Sequence, residues 1–464
     1  MDIRSLREKI NILIYNNKVK HLRRLKWMSI IVSTVAIGSL FCFHGLKLDQ
    51  RTSHILQLIV ESSFAFYVLH YLIKIFYDFN PREFIKANWF EGVMVLWLVI
   101  EGVSFNLFDV LILESLFGAI GLESMSTLSV VFLQIYLFVM VFFELNDKTS
   151  LISNIKLHPS TIFIFSFLVI IVAGTILLMM PEMTVDGGSM RFVDALFTSV
   201  SATCVTGLIV VDTATFFTYK GHFVIMMLMK LGGLNIVSFA YLAAFLNRAG
   251  VSLKQDDIIE DFITKDAFYN AKGMLLKVFF LSIIIEVVGG LLIYFLITPD
   301  MPFENEGDRL FFGIFHSISA FNNGGFSTIT HGMYAPFLKS AYLMHMVVAL
   351  LILLGAFGFT VMFDLFTPSQ MRDRLRHPWK RPHMSTLLAV RTHMILIGIS
   401  VGLYLLAEWN KSLGDLNFLE KSMVALFQSV SVRSAGLNTA DIFSLTTATL
   451  FMLIIMMFIG GDTF

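Results

Sequence analysis

Apolar residues in this chain run in long blocks, and the polar residues gather in the short stretches between them. Positions 27–46, 124–145, 160–181 and 385–407 each hold about twenty residues with few charges, and about 18 apolar residues suffice to cross a bilayer. Segments 54–77 and 89–113 add two further candidates. Inside hydrocarbon a backbone must satisfy its own N–H and C=O groups, so such blocks predict helices. Strands of a membrane barrel would be shorter and would alternate apolar with polar residues. The expected fold class is therefore an all-α integral membrane protein.

Composition and charge refine this picture. Hydrophobic residues make up 56% of the chain, more than a water-facing surface would tolerate, and the 34 basic and 34 acidic residues cancel. That balance removes any general electrostatic case for a nucleic-acid partner. The distribution tells more. Arg4, Arg7, Lys9, Lys18, Lys20, Arg23, Arg24 and Lys26 precede the first block, and Arg372, Arg374, Arg376, Lys380 and Arg381 crowd a later loop. Asp186, Asp300, Glu304, Glu306 and Asp308 occupy other loops. Cytoplasmic loops carry the Lys and Arg excess, so the N-terminus is placed inside a plasma membrane and the acidic loops outside. The apolar run after Lys26 has the length of a span and no nearby small-residue cleavage site, and reads as an anchor. Cys42 and Cys204 are the only cysteines, too few for a disulfide framework or a Cys metal site. The histidines lack zinc-ligand spacing, and there is no phosphate-cradling glycine loop. No acid, base or metal ligands converge within the blocks, so neither an enzyme nor a bound cofactor is expected.

A phrase recurs three times after position 159. It reads Phe197-Thr-Ser199-Val-Ser201 leading to Gly207, Phe315-His-Ser317-Ile-Ser319 leading to Gly325, and Phe427-Gln-Ser429-Val-Ser431 leading to Gly436. The last serine stands six residues before the glycine in two copies and five in the third. Each copy follows a long apolar block, an outer loop and a short apolar segment, and precedes another long block. The short segments, 192–203, 310–320 and 418–431, cannot cross about 30 Å of hydrocarbon at 1.5 Å per residue. They must dip in and return, and irregular backbone at that depth survives only where it is buried or lines a cavity.

Any single copy reads equally well as a helix-end cap or as close helix packing. Repetition in matched surroundings favours a pore loop. Stripping water from a potassium ion requires replacement oxygens, which backbone carbonyls of several pore loops supply. Glycine opens dihedrals closed to other residues and keeps side chains out of the way. A short helix ending at the loop turns its partly negative end toward the cavity, favouring cations. Four spans near 27–46, 54–77, 89–113 and 124–145 precede this region. Glu61, His70 and Lys74 on the second suggest internal polar pairs, and the absence of Lys and Arg in 124–145 argues against a voltage sensor.

The segments TCVTGL, SAFNNGGFST, SVRSAGLNTADI and MMFIGG resemble the Trk/Ktr/HKT superfamily of potassium transporters over residues 160–464. That resemblance implies four span–pore helix–loop–span units in one chain, three of them present here, preceded by the four-helix region. The implied divisions are a cytoplasmic basic N-terminus at 1–26, the four-span region and linker at 27–158, and pore units at 159–250, 251–383 and 384–464. It implies filter glycines at Gly207, Gly325 and Gly436, with carbonyls from Cys204, Val205 and Thr206, from Asn322, Asn323 and Gly324, and from Arg433, Ser434 and Ala435. Potassium would be the transported ion. An intramembrane gate loop would begin at Gly460 and Gly461, and the missing fourth unit suggests a partial chain. The resemblance also implies a homodimer and a cytoplasmic nucleotide-binding regulatory subunit, for which the basic stretch 371–391 is a candidate docking surface or simply a topology signal. A bacterial inner membrane is its expected home. Lys230 departs from the pattern, which has an uncharged polar residue before the glycine pair. It could repel cations, bridge to a carboxylate or loop as a latch, or pair locally at a helix interface. Two other functions stay open: a sodium-selective or sodium-coupled symporter on the same scaffold, and a non-conducting receptor or scaffold.

Overall fold

The computed structural model describes residues 159–233, 271–297, 305–377, 382–414 and 416–461, with 45–77, 303, 379 and scattered positions from 21 to 104. The candidate span 89–113 falls largely outside these residues, and 124–145 entirely. The chain divides into two compact units, Met1–Asn154 and Ile155–Phe464. In the first, helix α1 (Gln50–Tyr77) buries Tyr67 against Ala36 and Val60, and the Tyr67 hydroxyl pairs with Ser33. His70 is buried and stacks on Phe66.

The second unit is built from helices α2 (Pro159–Leu178), α3 (Phe192–Thr203), α4 (Thr213–Phe216), α5 (Tyr219–Gly233), α6 (Ala271–Leu296) and α7 (Glu306–Phe321). They are followed by α8 (Tyr342–Ala356), α9 (Gly358–Phe366), α10 (Pro368–Arg376), α11 (Met384–Glu408), α12 (Phe418–Ser431) and α13 (Thr447–Ile459). Among the described residues there is no strand, only an isolated bridge between Thr184 and Phe217. Local chemistry accounts for several boundaries. Asn417 and Glu420 form a reciprocal capping box at the start of α12. Asp212 caps α4 through the Ala214 N–H, and Thr446 caps α13 through the Thr449 N–H.

Two boundaries differ from the expected ones. Helix α7 begins at Glu306 rather than near 310, because Glu306 and Asp308 sit in its first turn, where negative charge favours the positive end of a helix. The stretch 371–391 is only partly a loop. Pro368 opens α10 at a position that suits its fixed φ, Arg374 and Arg376 fall in the last turn, and α11 resumes at Met384.

Outward faces of the long helices are strongly apolar. Ile164, Phe165 and Leu168 on α2, Phe280, Ile284 and Phe295 on α6, and Leu388, Ile395 and Leu406 on α11 are all exposed. Among the described residues, Gln50–Phe76, Phe279–Leu296 and Thr386–Glu408 are long and apolar enough to cross a membrane. Exposed apolar surface on this scale needs a lipid medium rather than water. Helix α8 alone reaches about 22 Å, short of a hydrocarbon core of about 30 Å, and it ends at Phe357 before α9 continues.

Within this unit α2, α3 and α5 pack together, as do α6, α7 and α8, and α11 packs on both α12 and α13. The sets interlock, since α5 also packs on α7 and α8 on α12. The phenylalanine that opens each serine phrase shows how. Phe315 is 0% exposed in a cluster with Leu228 and Met229 of α5, and Phe427 is 0% exposed in a cluster with Val348 and Ile352 of α8. Phe197 has no preceding set to enter and is 39% exposed.

Lipid gives apolar helices little reason to associate, so close approach at small residues carries more weight. A Cβ on Gly232 would lie 1.9 Å from the Thr203 carbonyl oxygen, and one on Gly355 would lie 1.8 Å from that of Phe321. Both glycines seat the end of one helix against the end of another, α5 on α3 and α8 on α7. Gly398 has nothing within 4 Å of such a Cβ. Replacing Gly355 with Ala is expected to lower detergent-solubilised stability by about 1–3 kcal/mol through overpacking. Gly398→Ala should be neutral or stabilising by up to about 1 kcal/mol through helix propensity. Thermal unfolding of the two variants side by side measures the difference.

Candidate functional site

The short helices α3, α7 and α12 all end in the interior of the unit, and each terminus is built around the last serine of its phrase. The Ser201 carbonyl accepts from the Thr206 N–H at 2.8 Å, that of Ser319 from the Gly324 N–H at 2.6 Å, and that of Ser431 from the Gly436 N–H at 3.0 Å. The same serines use their hydroxyls on the far side of the glycine. Ser201 Oγ donates to the Leu208 carbonyl at 2.7 Å, Ser319 Oγ to Phe326 at 2.8 Å and Ser431 Oγ to Leu437 at 2.5 Å. One residue thus closes both sides of each turn.

Gly207, Gly325 and Gly436 adopt φ of +76°, +71° and +72°, values that only glycine reaches without cost. In the first two loops a second residue is left-handed, Val205 at +55° and Asn323 at +58°. Each donates to the third residue before it, Val205 to Ala202 and Asn323 to Ala320, and the next N–H reaches back five residues. This is a Schellman helix end. Asparagine is a usual occupant of that position; a β-branched valine there is strained. The third loop is one residue shorter and has no such residue.

The three loops meet in order. A Cβ on Gly207 would lie 2.9 Å from the Gly324 carbonyl oxygen, and one on Gly325 would lie 2.6 Å from that of Ala435. Gly436 has nothing within 4 Å in that direction. Ser434 Oγ also donates to Asn323 Oδ1 at 3.1 Å, tying the third loop to the second. At the outer rim Thr330 Oγ1 donates to Asp212 Oδ2 at 2.7 Å, joining the segments that follow the first and second glycines. Of the other anticipated residues, Cys204 caps α3 and is exposed, whereas Asn322 caps α7 with its side chain engaged elsewhere. Arg433 is 7% exposed, and its guanidinium donates to the Gly460 carbonyl at 2.5 Å. That bond links the third loop to the turn that ends α13, where Gly460 has φ of +67° and Gly461 would meet Ala356 and Ser434 if it carried a side chain.

Lys230 of α5 sits apart from the glycines, in an ion pair with Glu286 of α6. Its ammonium lies 2.7 and 2.8 Å from the two carboxylate oxygens and donates to Ser282 Oγ at 2.7 Å. Glu286 was not anticipated from the sequence, although a carboxylate inside an apolar block is itself a signal of function. The hydroxyls of the middle serines were also missed. Ser199 donates to the Ile171 carbonyl and Ser317 to that of Glu286, at 2.8 and 2.7 Å, while the Ser429 hydroxyl is buried with no partner among the described residues. Among the described residues no group of His, Cys, Asp and Glu could hold a metal ion.

A family model described as cation transport protein, TrkH, matches residues 129–463. The chain is 31% identical to the Ktr system potassium uptake protein B of Bacillus subtilis over 319 residues, covering 68% of each. It is 31% identical to the protein of the same name in Vibrio alginolyticus, covering 65% of this chain and 64% of that one. With the potassium/sodium uptake protein NtpJ of Enterococcus hirae it shares 28% identity, covering 66% of each. The matched region thus spans about two thirds of the length of these relatives. A solved potassium transporter, TrkH from Vibrio parahaemolyticus, aligns with a TM-score of 0.49 at 20% identity over 80% of this chain and 69% of that one.

Ser431→Ala removes a buried donor and strands the Leu437 carbonyl, which is expected to cost about 1–3 kcal/mol of stability. Ser429→Ala removes a hydroxyl that bonds to nothing among the described residues and should be close to neutral. Unfolding midpoints of the two variants in detergent test the contrast.

Proposed function

Because the chain belongs to the TrkH family of cation transport proteins, we propose that it takes up potassium ions across a membrane through a filter of backbone carbonyls. The carbonyls come from Cys204, Val205 and Thr206, from Asn322, Asn323 and Gly324, and from Arg433, Ser434 and Ala435, each set ending at its glycine. Potassium engages Thr206, Gly207, Asn323, Gly324, Gly325, Ala435 and Gly436. The observation that carries this reading is the contact order of the loops: each of the first two glycines lies against a carbonyl of the next loop, and the third faces open space. A partly dehydrated ion needs oxygens from several loops at once, and adjoining left-handed glycines present them without side chains between. On the plan that the resemblance implies, a fourth loop closes the ring beside Gly436 and Phe197.

Several finer parts belong to the same proposal. The repeated units are span, pore helix, loop and span. The turn at Gly460 and Gly461 opens an intramembrane gate, and its bond to Arg433 supports a mechanical link between gate and filter. Membrane subunits pair as homodimers in a bacterial inner membrane with the N-terminus inside, and a nucleotide-binding subunit docks on the cytoplasmic face, where the basic helix α10 supplies positive charge. A sodium-linked variant of this activity is the second reading, favoured by the likeness to a protein named for potassium and sodium uptake.

Cells deficient in potassium uptake test the proposal. The full-length protein is expected to restore growth at low potassium, and Gly436→Ser, strained at φ of +72°, should reduce discrimination against sodium by about tenfold or more, the scale of a lost oxygen contact to an ion. Uptake indifferent to the substitution would remove the filter assignment; restored uptake that requires sodium would select the second reading.

A further inference from the structure

Glu286 holds the second pore segment at two points and is itself held by a third residue. Its backbone carbonyl accepts from Ser317 Oγ of α7 at 2.7 Å, and its carboxylate Oε1 accepts from Asn322 Nδ2 at 2.8 Å, where α7 gives way to the loop. The third is Lys230, which neutralises the carboxylate from α5. The pair is buried, with the Glu286 side chain 5% and the Lys230 side chain 12% exposed. Asn322 has no freedom left, since its second amide hydrogen bonds the Ile318 carbonyl and a Cβ on Gly233 would stand 2.0 Å from its Oδ1.

The repeat shows that the first loop lacks this arrangement. The counterpart of Ser317 in the first loop, Ser199, donates to the carbonyl of Ile171, so Ile171 stands where Glu286 stands and has no charge to offer. Cys204, in the place of Asn322, is exposed. A carboxylate inside a membrane span is costly and persists where it serves function. Packing alone would be served equally well by apolar residues of similar volume.

We infer that the buried Lys230–Glu286 pair is a positioning device that fixes the Asn322 end of the second pore loop and thereby sets ion discrimination. Neither residue touches the ion. Lys230 holds the Glu286 carboxylate, the carboxylate holds the Asn322 amide, and the amide fixes the carbonyls of Asn322 and Asn323 next to Gly324 and Gly325. The inference rests on the filter reading above.

The apolar exchange Lys230→Met with Glu286→Leu, made in the full-length protein, separates positioning from structure. Removing both charges together leaves no uncompensated ion, so the variant should insert at normal abundance. Its potassium-to-sodium uptake ratio is expected to fall about tenfold, the worth of one charge-assisted hydrogen bond. Adding Asn322→Leu to that background should cause no further fall, because the amide already lacks its partner. An unchanged ratio at normal abundance, or a further fall as large as Asn322→Leu causes in the unmodified protein, overturns the inference. If the apolar pair does not insert, Lys230→Gln with Glu286→Gln, which keeps the shape and removes both charges, decides in the same assay: a lowered ratio supports the positioning role and an unchanged one overturns it. Gly325→Ser measured alongside distinguishes the two levels of failure. A ratio that responds to Gly325→Ser but not to the charge pair removes only the positioning role, whereas indifference to both removes the filter reading as well.

Discussion

A backbone that leaves its helix inside a membrane must find partners for every N–H and C=O it exposes, and the second unit of this chain is organised around that requirement. Helices α3, α7 and α12 each stop at a turn that must satisfy their last carbonyls. Ser201, Ser319 and Ser431 answer locally, each accepting through its own carbonyl and donating through its hydroxyl across the following glycine. The carbonyls of Thr206, Gly324 and Ala435, which lie between those two bonds, are then held in place by the turn. An ion with a tightly held hydration shell can be received only by oxygens already in position, since reorganising the loop at each passage would cost the energy that binding returns.

The same requirement shapes the packing around the loops. With no hydrophobic drive between helices in lipid, contact is won by removing side chains, as at Gly232 and Gly355, and by inserting one large ring into the neighbouring set, as Phe315 and Phe427 do. Both devices act at the ends of the short helices. Distortion at one glycine turn is therefore passed to the next through direct contact, and the Arg433 bond to Gly460 extends the chain of contacts to the turn after α13. The Lys230–Glu286 pair braces the second loop and the Arg433 guanidinium the third, so the three loops share their serine-to-glycine bonds and differ in support.

Much of the helical architecture was legible because lipid enforces a simple pattern of long apolar blocks broken by polar stretches, and the short segments 192–203 and 418–431 do stand as helices α3 and α12. The recurrence of the serine phrase was legible too, since a spacing of six or five residues from serine to glycine survives inspection without any structure. What the serines do was not. Their hydroxyl bonds depend on a turn whose left-handed residues include Val205, and a β-branched side chain carries no sign of that conformation. The start of α7 was missed because Glu306 and Asp308 look like a loop until the positive end of a helix is placed beneath them. Lys230 was visible as an anomaly, but its partner lies 56 residues away on another helix, and no local pattern joins them.

The central claim is that carbonyls beside Gly207, Gly325 and Gly436 receive a cation, and rubidium offers the most direct sight of it. Crystals of the full-length protein grown in rubidium, with diffraction recorded at its absorption edge, should show an anomalous peak within coordinating distance of the Thr206, Gly324 and Ala435 oxygens, and replacing rubidium with sodium should abolish it. Rubidium peaks that cluster elsewhere, with none beside these three carbonyls, would contradict the account.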